Sequence, residues 1–398
     1  RGYKPNTSVH IGQLKKAIAL VEEAKKPMFL IGGGVNLAHA QEEMTELCEK
    51  LDIPVVTTVM GRGAIPTDHP LYIGNIGMHG SYAANKTADE CDLMFSIGCR
   101  FNDRVTGNVA KFAPNAKIIH IDIEAAAISR NVTVDIPIVA DAKMAIRKIL
   151  DHTEPMKHTE WIEEVKSWDK EHPLGIQVKA GVNPQCIMET LNKVYADRDT
   201  IYTSDVGQHQ MWACQYLKLD ATHRLVQSGG LGTMGFGLPS AVGAQIGCPG
   251  KAVVSISGDG GFQMNIQEMA TAINQELPLV NIVLNNNYLG MVRQMQDLFH
   301  NKRYTITCLR YHKSCKGKCG KPGWTCPEYS PNFVKIAEAY GSKGYLVTED
   351  SQLEKTIIEA RDYAEEHNKP VIIECAVSPE ELVLPMIRGG ASFEEIIY

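Results

Sequence analysis

The amino-acid sequence predicts an α/β protein of two domains, each a mostly parallel sheet with helices on both faces. Short apolar runs typical of buried strands alternate with amphipathic helical patterns along nearly the whole chain. Some of these runs lead through a glycine-rich turn into a helix. The chain has 398 residues, of which 44% are hydrophobic, so two domains of ordinary size with substantial cores are expected.

The first domain is expected over residues 1–152. Its helices are predicted at residues 9–26, 38–51 and 140–150. Its strands are predicted at the apolar runs PMFLIGGG, IPVVTT, CDLMFSIG and AKIIHIDI. A polar stretch with prolines, residues 153–182, is interpreted as a linker that carries one helix.

The second domain is expected over residues 183–398. Its strands are predicted at DTIYTSD, AVVSIS, LPLVNIVLN, GYLV and PVIIECAV, with helices between them. A cysteine-containing insertion is expected at residues 304–330.

Composition narrows the classes of partner and the compartment. The formal net charge of -6 gives no reason to expect nucleic acid or an acidic membrane surface as a partner. Most of the 11 cysteines lie singly in apolar runs, which suits a reducing compartment rather than a disulfide scaffold. No apolar run reaches the length of a membrane span, and no signal peptide is found. A cytoplasmic or organellar location is therefore expected.

The segment GDGG at residues 258–261 lies between an apolar strand and a helical pattern. Its glycines allow a ligand to approach the backbone, and the start of a helix favours an anionic phosphate. The next predicted strand ends in three asparagines at 285–287. Since neighbouring parallel strands end at one edge of a sheet, Asp259 and one asparagine are expected to share a Mg²⁺ ion. An Asp-Gly turn beside an asparagine-rich loop is the structural alternative.

Three further segments carry a resemblance to a known family. They are TSDVGQHQMWA (203–213), SGGLGTMGFGLPSAVGAQ (228–245) and NNNYLGMVRQMQDLF (285–299). Together with GDGG and Asn286, they closely resemble the catalytic subunit of acetohydroxyacid synthase, also called acetolactate synthase. This is a family of thiamine-diphosphate enzymes, and the resemblance covers nearly the whole chain.

The resemblance implies a role for individual residues in the second domain. Asp259 and Asn286 would bind Mg²⁺ together with the backbone carbonyl of Tyr288. Met234 would be the hydrophobic wedge that keeps the cofactor bent, and Met291 would also line the catalytic pocket, although core packing is the usual role of methionine. The other implied contacts to thiamine diphosphate are Gly207, Gln208, His209, Gly232, Gly258, Gly260, Gly261 and Gly290.

In the first domain, GMHGSYAAN (77–85) and GCRFNDRVTG (98–107) resemble the FAD-binding segments of the biosynthetic branch of the family. Arg104 would meet the carboxylate of the second 2-keto acid. A solvated charged loop is the alternative for Arg100 and Arg104. The residues implied to line FAD are Gly33, Gly34, Gly77, Met78, His79, Arg100, Asp122 and Asp141.

Besides mild departures at Cys99 and Asn102, the chain departs from the family pattern at two places. Position 295 carries Met where most of the family has a Trp that shapes the pocket for the second substrate, so Met295 is a candidate specificity residue. The inserted segment contributes Cys308, Cys315, Cys319 and Cys326. These cysteines are compatible with a zinc or iron–sulfur site, but also with a disulfide-capable loop or free thiols, because no CxxC pair is present.

The resemblance implies thiamine-diphosphate-dependent decarboxylation of pyruvate and transfer of the hydroxyethyl unit to pyruvate or 2-ketobutyrate. This reaction is the first step of branched-chain amino acid biosynthesis. The alternatives are another thiamine-diphosphate carboligase or decarboxylase, and a non-catalytic cofactor-binding scaffold. A homo-oligomer (a dimer or tetramer) and a small regulatory subunit are the expected assembly.

The start of the chain resembles the linker that follows the family's N-terminal pyrimidine-binding domain. That domain carries the family's catalytic glutamate and acts in a neighbouring subunit. We therefore expect it to come from a missing N-terminal region or from another chain. We also expect the 398 residues to be inactive by themselves.

Overall fold

The computed structural model describes residues 2–178, 180–311 and 331–398 of the chain. The chain divides into two compact units. The first comprises Arg1–Leu174, Lys218–Ala221 and Leu384–Tyr398, and the second comprises Gly175–Leu217 and Thr222–Val383. The C-terminal residues thus group with the first unit, whereas the sequence-based boundaries placed them in the second domain.

In the described part of the first unit, six parallel strands form one sheet in the order β3-β2-β1-β4-β5-β6. The central strands β1 and β4 are buried along their whole length, which explains why each is a continuous apolar run. The strands are β1 (Pro27–Ile31), β2 (Val55–Thr57), β3 (Tyr72–Asn75), β4 (Leu93–Ile97), β5 (Lys117–Asp122) and β6 (Ile136–Val139).

Helices cover both faces of this sheet. Alternate residues of β1 point to opposite faces, so that Phe29 joins one core and Met28 joins the other. Trp161, from the stretch interpreted as a linker, is buried in the second core and donates a 2.9 Å hydrogen bond to the Pro27 carbonyl. The α-helices are α1 (Ile11–Glu23), α2 (Gly33–Leu37), α3 (Gln41–Leu51), α4 (Tyr82–Glu90), α5 (Asp103–Thr106), α6 (Ala142–Leu150) and α7 (Thr159–Glu171).

The strand order of the first sheet reverses between β1 and β4, where two glycine loops touch. The Gly34 amide donates to the Gly98 carbonyl at 3.1 Å. A Cβ on Gly32 would lie 2.0 Å from that carbonyl oxygen, and one on Gly98 would lie 2.6 Å from the Gly34 Cα. Gly98 also has a φ of 64°, which a side chain disfavours. The two loops therefore pack backbone against backbone.

In the described part of the second unit, six parallel strands form another sheet in the order β11-β12-β10-β9-β7-β8. The chain leaves β7 toward one edge of this sheet and returns to β9 on the other side, so the order reverses between these two strands. The strands are β7 (Thr200–Ser204), β8 (His223–Gln227), β9 (Ala252–Gly258), β10 (Leu279–Asn285), β11 (Lys343–Val347) and β12 (Val371–Ala376).

Helices again pack on the second sheet. Phe262 and Phe333 meet edge to face, with ring centroids 5.9 Å apart, within a core that also contains Leu279 and Ile372. The α/β class predicted for both domains is confirmed. The α-helices are α8 (Pro184–Val194), α9 (Gln208–Tyr216), α10 (Gly237–Gly247), α11 (Asp259–Phe262), α12 (Glu268–Asn274), α13 (Gly290–Phe299), α14 (Phe333–Ala339) and α15 (Leu353–His367).

We predict that Gly98→Ala destabilises the first unit. The added methyl would combine a disfavoured φ with an overlap onto Gly34, which together should lower the free energy of unfolding by about 2–4 kcal/mol. The control is Gly243→Ala in α10, where nothing lies within 4 Å of the new Cβ and stability should rise by about 0.5–1 kcal/mol. Urea unfolding measures both. An unchanged transition in Gly98→Ala would show that the two loops are not in this contact.

Candidate functional site

A cleft lies at the C-terminal edge of the second sheet, where β7, β9 and β10 end. This is where ligands bind in open parallel sheets. Gly232 and Met295 are not among the described residues that line it. The predicted site residues in its lining are Gly207, Gln208, His209, Met234, Gly258, Asp259, Gly260, Gly261, Asn286, Tyr288, Gly290 and Met291.

Asp259 follows β9 directly and is almost fully buried, with 1% of its surface exposed. Burial raises the pKa of its carboxyl to about 7, although hydrogen bonds from the backbone of Gly260, Asn286 and Asn287 oppose the rise. Its Oδ2 is buried and finds no hydrogen-bond partner among the described residues. The site therefore contains a carboxylate oxygen that the described part of the protein does not satisfy.

Asn286 and Tyr288 occupy the loop after the neighbouring strand β10. The Tyr288 amide donates to the Asn286 Oδ1 at 3.0 Å, and the Asn286 Nδ2 donates to the Gln208 Oε1 at 3.2 Å. An antiparallel bridge pairs Tyr288 with Cys308. Asp259, Asn286 and Tyr288 thus line the same cleft, and their joint binding of a cation stays a prediction.

At several glycines of the cleft, an added Cβ would overlap a neighbouring side chain. A Cβ on Gly290 would lie 2.2 Å from the Gln208 Oε1 and 2.6 Å from the Asn286 Nδ2. A Cβ on Gly258 would lie 2.9 Å from the His209 Nδ1. Glycine at these positions keeps the wall of the cleft close to the backbone.

His209 is buried at the start of α9. Burial lowers the pKa of its imidazole to about 4, against the opposing influence of Asp205. The ring is therefore neutral at physiological pH, and its buried Nε2 has no hydrogen-bond partner among the described residues. A neutral imidazole can donate or accept a hydrogen bond with a ligand, but it cannot neutralise the negative charge of a diphosphate.

Asp205 has a structural role that the sequence reasoning missed. Its carboxylate accepts hydrogen bonds from the amides of Val206 at 2.7 Å, Gly235 at 3.0 Å and Gly237 at 2.9 Å. These bonds anchor the loop that carries Met234 to the end of β7. The signal available in the sequence was an aspartate at a strand end, followed later by a loop with two glycines.

The residues expected to line FAD occupy the first unit. Gly33 and Gly34 follow β1, and an exposed Arg100 follows β4. The buried Asp122 ends β5, where its Oδ1 accepts from the Glu124 amide at 2.9 Å. These residues share the C-terminal edge of the sheet, and two of the strands that they follow flank the point where the strand order reverses.

Asp141 caps α6, since its Oδ1 accepts from the Met144 amide at 3.0 Å. Asp141 therefore has a structural role as a helix cap, and this role does not require a ligand.

The first unit contains a second cavity, lined partly by residues 387–393. Gly77, Met78 and Arg104 contribute to its lining, and the Met78 amide donates to the Arg104 carbonyl at 2.9 Å. The Arg104 side chain is exposed and lies 3.4 Å from the Asp103 carboxylate. Of the expected flavin residues, Gly77 and Met78 thus line this cavity and His79 does not, whereas Gly33, Gly34, Arg100 and Asp122 lie along the sheet edge.

Among the four cysteines of the insertion, Cys308 is described, and Cys315, Cys319 and Cys326 lie outside the described residues. The proposed zinc or iron–sulfur site therefore stays a prediction. Within the described residues, no group of three or more His, Cys, Asp or Glu side chains is placed to hold a metal ion. No helix in the described part of the chain is long and apolar enough to cross a membrane.

Comparison with protein families agrees with the two units. Residues 14–149 match the central domain of thiamine pyrophosphate enzymes. Residues 205–375 match the C-terminal thiamine pyrophosphate binding domain of the same enzymes. The second match includes the residues at the ends of β7, β9 and β10, so the cleft lies within a thiamine pyrophosphate binding domain.

Similar curated proteins are acetolactate synthase large subunits or are described as probable ones. Residues of this chain are 41% identical to the probable large subunit of Methanococcus aeolicus, with 100% of this chain and 65% of that protein covered. Identity is 40% to the isozyme 3 large subunit of Escherichia coli K12, with 99% and 67% covered. The chain thus spans about two thirds of the length of these relatives. The chain belongs to the acetolactate synthase large subunit family of thiamine pyrophosphate enzymes.

Proposed function

We propose that the cleft of the second unit binds thiamine diphosphate through Mg²⁺, and that the chain serves acetolactate-forming carboligation. The observation that carries this proposal is the buried Asp259 carboxylate with its unsatisfied Oδ2, set beside Asn286 and Tyr288. The names of the relatives, acetolactate synthase large subunits, support the reaction.

The charges explain why a cation belongs in this cleft. A diphosphate and an ionised Asp259 would repel each other strongly in a buried site. Mg²⁺ prefers oxygen ligands and commonly joins one or two carboxylates to phosphate groups. A carboxylate, the amide oxygen of Asn286 and the main-chain carbonyl of Tyr288 form a donor set of that kind. The residues present therefore fit the cation.

When bound, thiamine diphosphate supplies the carbanion-stabilising chemistry of the reaction. The chain's own residues bind and orient it. The starts of α9 and α13 contribute Gly207, Gln208 and Gly290 to the lining of the cleft, and the unbonded amides at a helix start favour an anionic group. Met234 lines the same cleft and is held by the loop that Asp205 anchors.

The proposed substrates are pyruvate and a second 2-keto acid, either pyruvate or 2-ketobutyrate. The exposed guanidinium of Arg104 is suited to the carboxylate of such an acid. Met295 lies on α13 one turn beyond Met291 and is the proposed specificity residue, because a flexible thioether discriminates shape less sharply than a rigid aromatic ring.

We further propose a homo-oligomer that works with a small regulatory subunit. The description of the relatives as large subunits supports the regulatory partner. A cytoplasmic location is proposed together with this assembly.

FAD is proposed to bind the first unit, where its expected role is structural. The strand order of this sheet is the one that binds dinucleotides at the reversal point. The Gly34 amide is already bonded to Gly98, so Arg100 is the stronger candidate for contact with the flavin's phosphates.

We predict that Asp259→Asn changes how stability depends on pH in the absence of divalent cations. A folded pKa of about 7 against an ordinary 3.8 means that the wild-type carboxyl contributes stability below about pH 4 and loses it as the pH rises through 7. The neutral asparagine avoids this loss, so the variant should gain on the order of 4 kcal/mol over wild type by pH 8. Urea unfolding in chelator from pH 4 to 8 measures the difference. A constant difference across that range would contradict the prediction.

We predict that Asp259→Ala abolishes Mg²⁺-dependent binding of thiamine diphosphate, because the diphosphate loses the cation that joins it to the protein. Titration calorimetry with and without Mg²⁺ measures the effect. Asp199→Ala is the control, since Asp199 precedes β7 at the end of the sheet opposite the cleft and pairs with Lys251. Unchanged cofactor affinity in Asp259→Ala would refute the proposed site.

The proposed reaction is tested by product analysis, using these 398 residues together with the N-terminal pyrimidine-binding domain of the family. Acetolactate should form from pyruvate in wild type and be lost in Asp259→Ala. Formation of acetaldehyde without acetolactate would instead favour a decarboxylase.

We predict that the chain takes up FAD and that Arg100→Ala weakens this uptake, because a charge-assisted contact to phosphate is lost. Loss of one such contact should cost about 1.5–3 kcal/mol of binding free energy. Quenching of flavin fluorescence on titration measures the affinity, with Arg130→Ala as a control on another exposed arginine of the same unit. Absence of quenching in wild type would count against the flavin site.

A further inference from the structure

Three buried amide side chains form a chain of hydrogen bonds that leads away from the proposed cation site. Gln294 is 0% exposed, Gln208 is 4% exposed and Asn286 is 8% exposed. The Gln208 Nε2 donates to the Gln294 Oε1 at 2.9 Å, and the Asn286 Nδ2 donates to the Gln208 Oε1 at 3.2 Å. In a series of buried amides, each NH₂ must face an oxygen of its neighbour, so the orientation of one amide fixes the orientation of the next.

The backbone of Val383 fixes the direction of this chain. The Val383 amide donates to the Gln294 Oε1 at 2.8 Å, and the Gln294 Nε2 donates to the Val383 carbonyl at 3.1 Å. A backbone N–H can only donate and a backbone carbonyl can only accept. The Gln294 amide therefore has one permitted orientation, with its oxygen facing Gln208.

The Gln294 oxygen fixes the orientation of the Gln208 amide. Its Nε2 donates to the Gln294 Oε1 and also to the Glu381 carbonyl at 2.8 Å, which occupies both amide hydrogens. The Gln208 Oε1 can then only accept. This arrangement commits the side chain to its protein neighbours and leaves its NH₂ no hydrogen for a diphosphate.

Asn286 is held from both sides as a result. Its Nδ2 must face the Gln208 Oε1, and its Oδ1 must face the Tyr288 amide. Turning this amide over would set oxygen against oxygen at Gln208 and NH₂ against N–H at Tyr288. Two opposed contacts inside a buried site make the reversed orientation unfavourable.

Gly290 leaves room for the joint between Gln208 and Asn286. A Cβ at this position would lie 2.2 Å from the Gln208 Oε1 and 2.6 Å from the Asn286 Nδ2, the two atoms that form the hydrogen bond. The absence of a side chain here is therefore a condition for the bond.

We propose that Gln208 and Gln294 are positioning residues that set the Asn286 amide so that its oxygen is available to Mg²⁺. The proposal rests on the cation site proposed above and revises the role expected of Gln208, whose side chain acts through Asn286 and not on the diphosphate. Mg²⁺ binds oxygen and demands nearly ideal geometry, so an amide that presents its NH₂ would be lost as a ligand. Partners that orient metal ligands typically change metal affinity about 10–100-fold when they are removed.

The test compares Gln208→Met and Gln294→Met with Gln210→Met as a matched control. Methionine keeps the length of glutamine and removes its amide. Gln210 lies on α9 with Gln208, is equally buried at 4% exposure, and donates to the Gln227 Oε1 at 3.0 Å. Two quantities are measured: the Mg²⁺ concentration that half-saturates thiamine diphosphate binding by calorimetry, and direct Mn²⁺ binding by electron paramagnetic resonance.

Gln208→Met should raise both metal midpoints about 10–100-fold, while cofactor affinity at saturating Mg²⁺ stays near that of wild type. Gln294→Met should shift the midpoints in the same direction but less, because the Glu381 carbonyl still orients Gln208. Gln210→Met should leave them unchanged. A loss of cofactor affinity that persists at saturating Mg²⁺ in Gln208→Met would show a direct diphosphate contact and overturn the proposal.

The cation site and its orientation can fail separately. If Asp259→Ala leaves the metal dependence intact, the cation site itself is wrong. If Asp259→Ala removes the dependence but both methionine variants titrate like Gln210→Met, the site stands and the positioning role is refuted. Thermal unfolding of each variant establishes that it is folded, and Gln294→Met decides the question if Gln208→Met does not fold.

Discussion

The cleft depends on one constraint: the Asp259 carboxylate is buried, and one of its oxygens has no hydrogen-bond partner among the described residues. Asp205 and Asp259 both lie at the C-terminal edge of the second sheet, after the neighbouring strands β7 and β9. Three backbone amides satisfy Asp205, so that this carboxylate serves the fold. Asp259 keeps a buried oxygen with no partner among the described residues, and burial raises its pKa to about 7. The contrast separates a carboxylate that holds a loop from one that is suited to a ligand.

The sequence predicted the central strands of both sheets but missed the strands at three of the four sheet edges. β1, β4, β7 and β10 are buried throughout and appear as continuous apolar runs. β3, β6 and β8 lie at edges and mix buried positions with half-buried ones and, in β8, exposed ones. Over four or five residues, such a pattern is hard to distinguish from a loop. Their place in the sheet comes from pairing with neighbours, which no local pattern records.

The candidate site was predictable where it depends on strand ends and unpredictable where it depends on side-chain contacts. Asp259 and Asn286 follow adjacent strands, so the parallel topology alone brings them together. The role of Gln294 depends on Gln208 and on the backbone of Val383, both about 90 residues away in sequence. The resemblance likewise assigned Asp141 to a flavin, and only the structure adds that its Oδ1 caps α6 through the Met144 amide. Motifs identify a position, but only contacts distinguish binding a ligand from holding the residue that binds it.

Both units have glycines where the strand order reverses, but the glycines have different roles in packing. In the first unit, the loops after β1 and β4 press against each other, and the Gly34 amide is bonded to the Gly98 carbonyl. In the second unit, Gly258 at the end of β9 makes room for the side chain of His209, and Gly290, beyond the next strand β10, makes room for Gln208 and Asn286. A glycine turn at a reversal point is therefore not by itself a phosphate site. If the neighbouring loop packs its backbone against the turn, hydrogen bonds between the two loops occupy the amides of the turn. If the neighbouring loop presents polar side chains instead, these side chains can orient a ligand.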